Sequence, residues 1–439
     1  MKKNRYFLFL LLIAFSILPL AANSESPAAG QTEPAGIIGP DGSIQQVDRS
    51  PTLDIRNRFN IPNPMRKEKP GDDTPSAGGE TAGASLNNMP VIAAAQAFGG
   101  KNDERLNDVI TLSDGGFLLV GSSDITYADQ TPLTQTAWAL RFSQRGEKLW
   151  EYKHLNKESL GEFYMAKENP DGTLMLHYMN SLFSLRTDSL VTLSAGGELL
   201  DESPMSSLVY KIFRADGGIL VDTISGLTKY DDNLNVLYEL EDEILQHMEF
   251  ITEDGLLFYG CLLQEGRVGD ALAFMLNENG ELQWDLILKE NARFIGCVRL
   301  SDGDYLCTGY MENDDAKESG IAARIGTDGT VRYLREYDRD GDFFFLSHAY
   351  ELQEGALLIG GSIMEKQLYA IHIDEDGNEI ERFSLDLGRR VELASPMLRV
   401  IPAGENLFVA GVMTCYRNLL VLEDNDVFVM PLVLPEGVE

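Results

Sequence analysis

A short motif recurs along most of this chain, and it restricts the possible folds more than any other feature. Each copy has an apolar strand, a turn of the Asp-Gly type and a second apolar strand. The first copy reads Asp114-Gly115-Gly116, followed by Phe117-Leu118-Leu119-Val120-Gly121. The later turns, at intervals of 37 to 56 residues, lie at 171–172, 216–218, 254–255, 301–304, 353–355 and 404–406. Turns at such regular intervals predict one repeated structural unit rather than several unrelated domains.

A second marker follows the first in each copy. A third apolar strand leads to a turn glycine, and an aromatic residue stands four positions later in three copies, Trp150, Trp284 and Tyr333. Asp201 and Glu381 take that position in two others. Four short strands in each unit of 40 to 50 residues predict an all-β chain, a seven-bladed β-propeller of four-stranded antiparallel blades. The strand around residues 91–97 precedes the first full copy, and we expect it to pair with the last blade and close the ring.

The segment before the repeats divides in two. Lys2, Lys3 and Arg5 precede an apolar run at positions 7–18, which predicts a signal peptide over residues 1–23, with an uncleaved anchor as the alternative. Residues 24–88 are rich in Pro, Gly, Ser and Ala, which predicts a flexible linker, and the propeller domain is predicted over 89–439. The mature protein is therefore expected to be secreted or extracytoplasmic, at the cell surface or in a periplasm.

The charge balance narrows the classes of partner. Lys and Arg total 36 and Asp and Glu total 69, which gives a net charge of −33. Nucleic acids and anionic lipid surfaces attract basic proteins, so this balance argues against both as partners. No later stretch reaches 18 unbroken apolar residues, so no integral membrane segment is expected after signal removal.

The four cysteines carry no metal or redox motif. They are Cys261, Cys297, Cys307 and Cys415, with no Cys-x-x-Cys spacing among them. Cys297 and Cys307 flank the turn at 301–304 and should lie opposite each other on adjacent strands. Two buried thiols and a cross-strand disulfide are both open at this point.

Two segments resemble a known family. The run from Phe98-Gly99-Gly100 to residues 113–121 resembles exported bacterial propellers with a repeat of Asp-Gly-Gly, apolar residues and Gly. The segment 139–150 is similar to the tryptophan-docking strand of PQQ-like propellers, which include quinoprotein dehydrogenases and non-catalytic assembly scaffolds. The chain has no quinone ligand set and no vicinal cysteine pair. The resemblance therefore implies the fold of a scaffold-type member and not a redox activity.

Candidate chemistry is sparse. The five histidines are scattered without metal-ligand spacing, and neither G-x-S-x-G nor H-E-x-x-H occurs, so no catalytic residue, cofactor or metal is predicted. The turn at 374–378, like that at 338–342, imitates the start of a calcium loop, but the repeat itself requires a polar turn there.

Loops on one face of the propeller are the predicted binding region. In an up-and-down blade, the hairpin between the second and third strands and the link between blades emerge on the same face. The acidic residues predicted for that face are Asp124, Asp129, Glu241, Asp242, Glu312, Asp314, Asp315, Glu318, Asp338, Asp340 and Asp342. The residues predicted for the central channel are Lys211, His348 and Arg399.

Two classes of function follow from these observations. The first is a monomeric, non-catalytic propeller that binds a protein or polymer, with a cationic partner or a divalent ion favoured by the acidic face. The second is a propeller hydrolase or lyase that acts on an extracellular polymer. A carboxylate pair or a histidine at the channel mouth would favour the second, and the channel candidates contain no evident pair of acid and base.

Overall fold

The computed structural model shows an all-β protein. It describes residues 37–38, 44–45 and 95–433, apart from 101, 129–130, 155–159, 183–184, 206–208, 224–225, 241–247, 253, 265–266, 313–317, 338–343, 363–366, 386, 388–390, 394–396 and 417–422. The chain divides into two compact units, Met1–Ala82 and Gly83–Glu439. In the first unit β1 (Ile37–Ile38) pairs antiparallel with β2 (Ile44–Gln45). The predicted signal peptide and nearly all of the predicted linker lie outside the described residues.

The second unit is built from successive antiparallel sheets. Its described residues form six hydrogen-bonded sheets, and the first has eight strands because one parallel contact, between Gln135 and Leu160, joins two four-stranded antiparallel groups. These two groups are counted separately here as sheets 1 and 2, and the others follow in chain order as sheets 3 to 7. The first three consist of β4 (Asp103–Thr111), β5 (Phe117–Ala128), β6 (Thr131–Phe142) and β7 (Lys148–His154); β8 (Leu160–Glu168), β9 (Leu174–Leu182), β10 (Leu185–Leu193) and β11 (Leu199–Pro204); and β12 (Val209–Ala215), β13 (Gly218–Thr223), β14 (Gly226–Asp231) and β15 (Val236–Leu240).

The next three sheets repeat the same four-stranded order. They consist of β16 (Met248–Ile251), β17 (Leu257–Gln264), β18 (Arg267–Leu276) and β19 (Leu282–Lys289); β20 (Ala292–Arg299), β21 (Tyr305–Glu312), β22 (Glu318–Ile325) and β23 (Val331–Tyr337); and β24 (Phe344–Glu351), β25 (Ala356–Ser362), β26 (Gln367–Ile373) and β27 (Glu379–Leu385). Each Asp-Gly type turn of the sequence joins the first and second strands of its sheet, as the repeat predicts.

The seventh sheet combines the two ends of the domain. Its strands are β28 (Val391–Leu393) and β29 (Arg399–Ala403), which both pair with β30 (Asn406–Tyr416), then β31 (Glu423–Leu432) and finally β3 (Gln96–Phe98). Strand β3 pairs antiparallel with β31, with Ala97 opposite Phe428. The prediction that an N-terminal strand completes the last sheet is therefore confirmed.

The core lies between neighbouring sheets. Seven clusters of buried apolar side chains are found in the described part of the domain, one at each junction between a sheet and the next. The cluster that includes Phe117, Phe142 and Phe408 joins sheet 7 to sheet 1. Sheets packed face to face in sequence, with the last against the first, are the architecture of a β-propeller.

A bulge in the innermost strands explains why glycine recurs in the second strands. The pairing of the first and second strands shifts register at corresponding points, between Leu106 and Asp108 in sheet 1 and between Phe294 and Gly296 in sheet 5. A Cβ atom at Gly121 or Gly309 would overlap a backbone carbonyl oxygen of the bulged strand. Only glycine lets the two backbones approach this closely.

Substitution of this glycine should therefore be costly. We expect Gly309→Ala to lower the free energy of unfolding by about 1–3 kcal/mol, because the new methyl group displaces the innermost strand of sheet 5. Urea-induced unfolding measures the change. Gly196→Ala is the control, since a Cβ at Gly196 meets only the Ser194 hydroxyl at 3.6 Å, and it should stay within about 0.5 kcal/mol of the parent. Equal losses in both variants would contradict the explanation.

Aromatic side chains of several outer strands pack on the turn between the third and fourth strands of the next sheet. Trp150 of β7 packs on Gly197 of sheet 2, and its indole N–H donates to the Ala195 carbonyl at 3.0 Å. Trp284 of β19 packs on Gly329 in the same way and donates to the Thr327 carbonyl at 2.8 Å. These turn glycines adopt positive φ, which leaves a flat backbone surface for the ring.

Candidate functional site

Strand direction gives the domain two distinct faces. The innermost strand of each sheet runs towards its Asp-Gly type turn, so the hairpin between the second and third strands lies at the other end of the sheet, where the link from the previous sheet also arrives. We call this end the hairpin face, and the end with the Asp-Gly type turns the turn face. The predicted binding region corresponds to the hairpin face.

The structure describes three of the eleven predicted acids. Asp124 lies in β5, Glu312 ends β21 and Glu318 begins β22. The other eight, Asp129, Glu241, Asp242, Asp314, Asp315, Asp338, Asp340 and Asp342, lie outside the described residues. The predicted acidic face as a whole therefore stays a prediction.

Asp124, like Glu312, is half-buried. Its side chain is 43% exposed, and Lys153 of β7 donates to its carboxylate at 2.7 Å. Its backbone has a φ of 56°, in the left-handed region that Asp tolerates better than most residues. The Asp124 carboxylate is therefore partly exposed, and the Lys153 ammonium beside it compensates its charge.

Glu318 differs from the expectation of an exposed acid, because it is buried. It is 7% exposed and faces Glu312 directly across the hairpin of sheet 5. Burial, with a contribution from the Glu312 charge, raises the pKa of Glu318 to about 9. One of its carboxyl oxygens, Oε2, has no hydrogen-bond partner. At neutral pH this side chain is therefore a neutral acid and does not add to the negative charge of the hairpin face.

A second buried carboxyl pair was not among the predicted site residues. Glu104 of β4 and Asp426 of β31 are each 4% exposed and lie side by side where sheet 1 meets sheet 7. Gly99 lies against both, and a side chain there would overlap the two carboxyl groups. The Gly100 N–H donates to Glu104 Oε1 at 3.1 Å. Two acids brought together in this way cannot both stay charged.

The proton is held by Glu104. Burial, with a contribution from the adjacent Asp426, raises the pKa of Glu104 to about 8, against the lowering effect of the hydrogen bonds from the Gly100 and Asp124 N–H groups. A protonated Glu104 can donate to Asp426, which makes the pair a hydrogen bond across the ring closure. The hairpin face thus combines exposed carboxylates with buried, protonated ones.

The predicted channel residues all lie on innermost strands. Lys211 lies in β12, with its ammonium 5.1 Å from the centre of the Phe213 ring. His348 in β24 and Arg399 in β29 lie on neighbouring sheets, and the Val400 N–H points to His348 Nδ1 at 3.4 Å. Burial and the Arg399 charge lower the pKa of His348 to about 3, so this histidine is neutral at physiological pH.

A histidine and an aspartate form a dyad inside the domain. His177 of β9 contacts Asp188 of β10 through Nε2 at 2.8 Å, and Arg186 donates to the same carboxylate at 3.0 Å. Both side chains of the dyad are 1% exposed. Burial lowers the pKa of His177, so its ring is neutral and donates to Asp188. The dyad is enclosed within sheet 2, and the second ring nitrogen of His177, Nδ1, has no hydrogen-bond partner among the described residues.

The described residues contain no group of three or more His, Cys, Asp or Glu side chains arranged to hold a metal ion. The turn that imitates a calcium loop uses its first acid internally: the Asp374 carboxylate accepts the N–H groups of Asp376 and Asn378 at 3.0 and 2.7 Å. In the part of the chain that the structure covers, no helix is long and apolar enough to cross a membrane.

Comparisons with known proteins give structural likenesses only. No protein-family model matches the chain, and no curated protein matches it. The WD40 domain of Neurospora crassa Pan2 is similar with a TM-score of 0.45 at 8% identity, over 75% of this chain and 89% of that chain. BamB from Moraxella catarrhalis is similar with a TM-score of 0.42 at 13% identity, over 80% and 99%. Hsv2 of Kluyveromyces lactis is similar with a TM-score of 0.37 at 10% identity, over 74% and 98%. The propeller fold is assigned here from the strand order, the packing of successive sheets and the closing strand β3.

Proposed function

We propose that this chain is an exported, non-catalytic propeller of seven blades whose hairpin face binds a protein or polymer. Each of the seven sheets is one blade in this proposal, and the signal peptide directs the chain out of the cytoplasm. The observation that carries the proposal is Asp124, whose carboxylate is 43% exposed at the hairpin end of β5. Glu312 lies at the same end in sheet 5, and the acids predicted for the neighbouring loops would add to this charge.

Charge complementarity favours a cationic partner. The exposed acids of the hairpin face attract positive groups over distances that salt limits to about 8 Å at physiological ionic strength. The turn face is different in character, since its Asp carboxylates accept backbone N–H groups or pair with arginines, as Asp171 and Asp304 do. Acids engaged in this way hold turns together and are less available to a partner.

Binding to the hairpin face should depend steeply on salt. With polylysine as the probe, we expect association with the full chain to slow markedly as sodium chloride rises from low to physiological concentration. Asp314→Asn combined with Asp315→Asn should slow association at low salt, because two predicted surface charges are removed without a change in shape. Surface plasmon resonance measures both rates.

Glu147→Gln combined with Glu198→Gln is the matched control. Both glutamates are exposed in turns of the turn face, so the control removes the same amount of charge from the other end of the domain. The control should bind like the parent. Equal slowing in both double variants would show that total charge, and not the hairpin face, governs binding, and it would contradict the proposal.

A further inference from the structure

Two cysteines face each other across the first and second strands of sheet 5. Cys297 of β20 and Cys307 of β21 are direct partners in the antiparallel register. Neither is in a disulfide. Cys307 is fully buried, whereas Cys297 keeps part of its surface exposed.

The register places the two backbones at the spacing a disulfide needs. Directly opposed residues of an antiparallel pair have Cα atoms about 4.5 or 5.5 Å apart, depending on the hydrogen-bonding position. Disulfides span Cα separations of roughly 4.4 to 6.8 Å. Either position of the ladder therefore falls within the accepted range, and residues paired directly across an antiparallel ladder project their side chains from the same face of the sheet.

We propose that Cys297 and Cys307 are an oxidative modification site, which closes to a cross-strand disulfide in the presence of a small organic disulfide. The inference does not depend on the acidic face or on the proposed binding function. It concerns a covalent bond between the innermost strand of sheet 5 and its neighbour.

The reaction is a pair of thiol–disulfide exchanges. The Cys297 thiolate, the more exposed of the two, attacks one sulfur of the external disulfide, whose S–S bond breaks and releases one thiol after protonation. The Cys307 thiolate then attacks the Cys297 sulfur of the mixed disulfide and releases the second thiol. The cysteine pair loses two protons and two electrons, and the external disulfide is reduced to two thiols.

The surroundings of the pair set its rate. Burial, with the adjacent Cys307, raises the pKa of the Cys297 thiol well above its ordinary value. Only a small fraction is therefore thiolate at neutral pH, and oxidation should accelerate about tenfold for each pH unit through the mildly alkaline range. Closure of the bond should then raise the midpoint of thermal unfolding, because the cross-link restricts the unfolded chain.

Thiol counting on the full chain tests the proposal. The folded protein is incubated with oxidised glutathione, quenched with acid, unfolded and labelled with a maleimide, and labels are counted by mass spectrometry. The untreated chain has four cysteines, so the treated chain should take up two labels fewer, and peptide mapping should join residue 297 to residue 307.

Variants separate this pair from the other thiols. Cys261→Ser leaves the pair intact and should still lose two labels on oxidation. Cys297→Ser and Cys307→Ser should each abolish the intramolecular bond and the rise in unfolding temperature. Four labels after complete equilibration of the parent chain, or a bond that involves Cys261 or Cys415, would overturn the proposal, and neither result depends on the variants folding well.

Discussion

A chain that begins at residue 100 should unfold at a clearly lower urea concentration than one that begins at residue 87. The longer version keeps β3, which pairs with β31 and carries Phe98 into the cluster between sheets 7 and 1. The Phe98 ring meets the edge of Phe142 with centroids 5.0 Å apart. Phe98 is half-buried, so loss of its ring alone should cost about 1–2 kcal/mol, less than the roughly 1.5–3 kcal/mol of a fully buried side chain, and β31 would in addition become an exposed edge.

A single substitution at Phe98 tests the same contact with a smaller expected loss of stability. Phe98→Ala in the full chain should lose part of the stability that the truncation loses, while Leu149→Ala, at a side chain 56% exposed, should stay close to the parent. The chain that begins at residue 87 should match the full chain. Identical unfolding of the two truncated chains would show that β3 does not close the domain.

The free energy of unfolding should decrease as the pH rises from 6.5 to 8. Glu104 and Glu318 have pKa values of about 8 and about 9 in the folded protein, above the value of about 4.5 expected in the unfolded chain. In this interval the folded protein holds protons that the unfolded chain has released. Stability therefore falls with rising pH, by about 1.4 kcal/mol per pH unit for each carboxyl group.

Histidines act in the opposite direction at the lower end of this interval. His177 and His348 have pKa values lowered by burial, so stability is lost as the pH falls through about 6.5, where the unfolded chain takes up protons that the folded protein does not. At pH 6.5 the unfolded histidines are about half protonated, and this opposes the effect of the carboxyl groups. By about pH 7.5 these histidines are mostly neutral in both states, so among these four residues the two glutamates dominate.

Glutamine substitutions identify the groups responsible. Glu104→Gln and Glu318→Gln keep the shape of the neutral acid but cannot ionise, so each should flatten the dependence on pH by about half, and the double variant should remove most of it. Urea-induced unfolding at pH 6.5, 7, 7.5 and 8 provides the free energies. Glu198→Gln, at an exposed turn residue, is the control and should leave the slope unchanged. A parent slope near zero would mean that both carboxyl groups are ionised in the folded state.

Local and periodic features of the fold could be predicted from the sequence. The turns, the four-strand units and the aromatic contacts recur with a regular spacing, so each copy supports the interpretation of the others. One copy was missed: Tyr238 packs on Gly280 like Trp284 on Gly329, but the turn before Tyr238 has Leu234 with a φ of 61° where other copies have glycine. The turn keeps the left-handed backbone conformation, although Leu234 replaces the glycine that indicates this turn in the other copies.

The buried carboxyl groups could not be predicted, for two physical reasons. Glu104 and Asp426 meet only because the ring closes, and the neighbouring contact of Asp103 with Asn425 spans 322 residues of sequence. Glu318 begins β22, a strand with both faces covered by adjacent sheets, so its pattern shows no alternation that would separate inward from outward positions. The acidic loop residues identified the hairpin face as a candidate binding region. The sequence could not show which of its carboxyl groups are ionised and which are protonated.

The position of β3 also affects how the chain folds during synthesis. Its partner β31 is synthesised after sheets 1 to 6, so these sheets can form while the seventh is still incomplete. The apolar surface of sheet 1 that packs against sheet 7, including Phe117 and Phe142, stays uncovered throughout that period. Contacts of such long sequence separation form slowly, and an uncovered apolar surface promotes aggregation. The nascent chain is therefore most vulnerable to aggregation just before β31 emerges, and its dependence on chaperones should be greatest at that point.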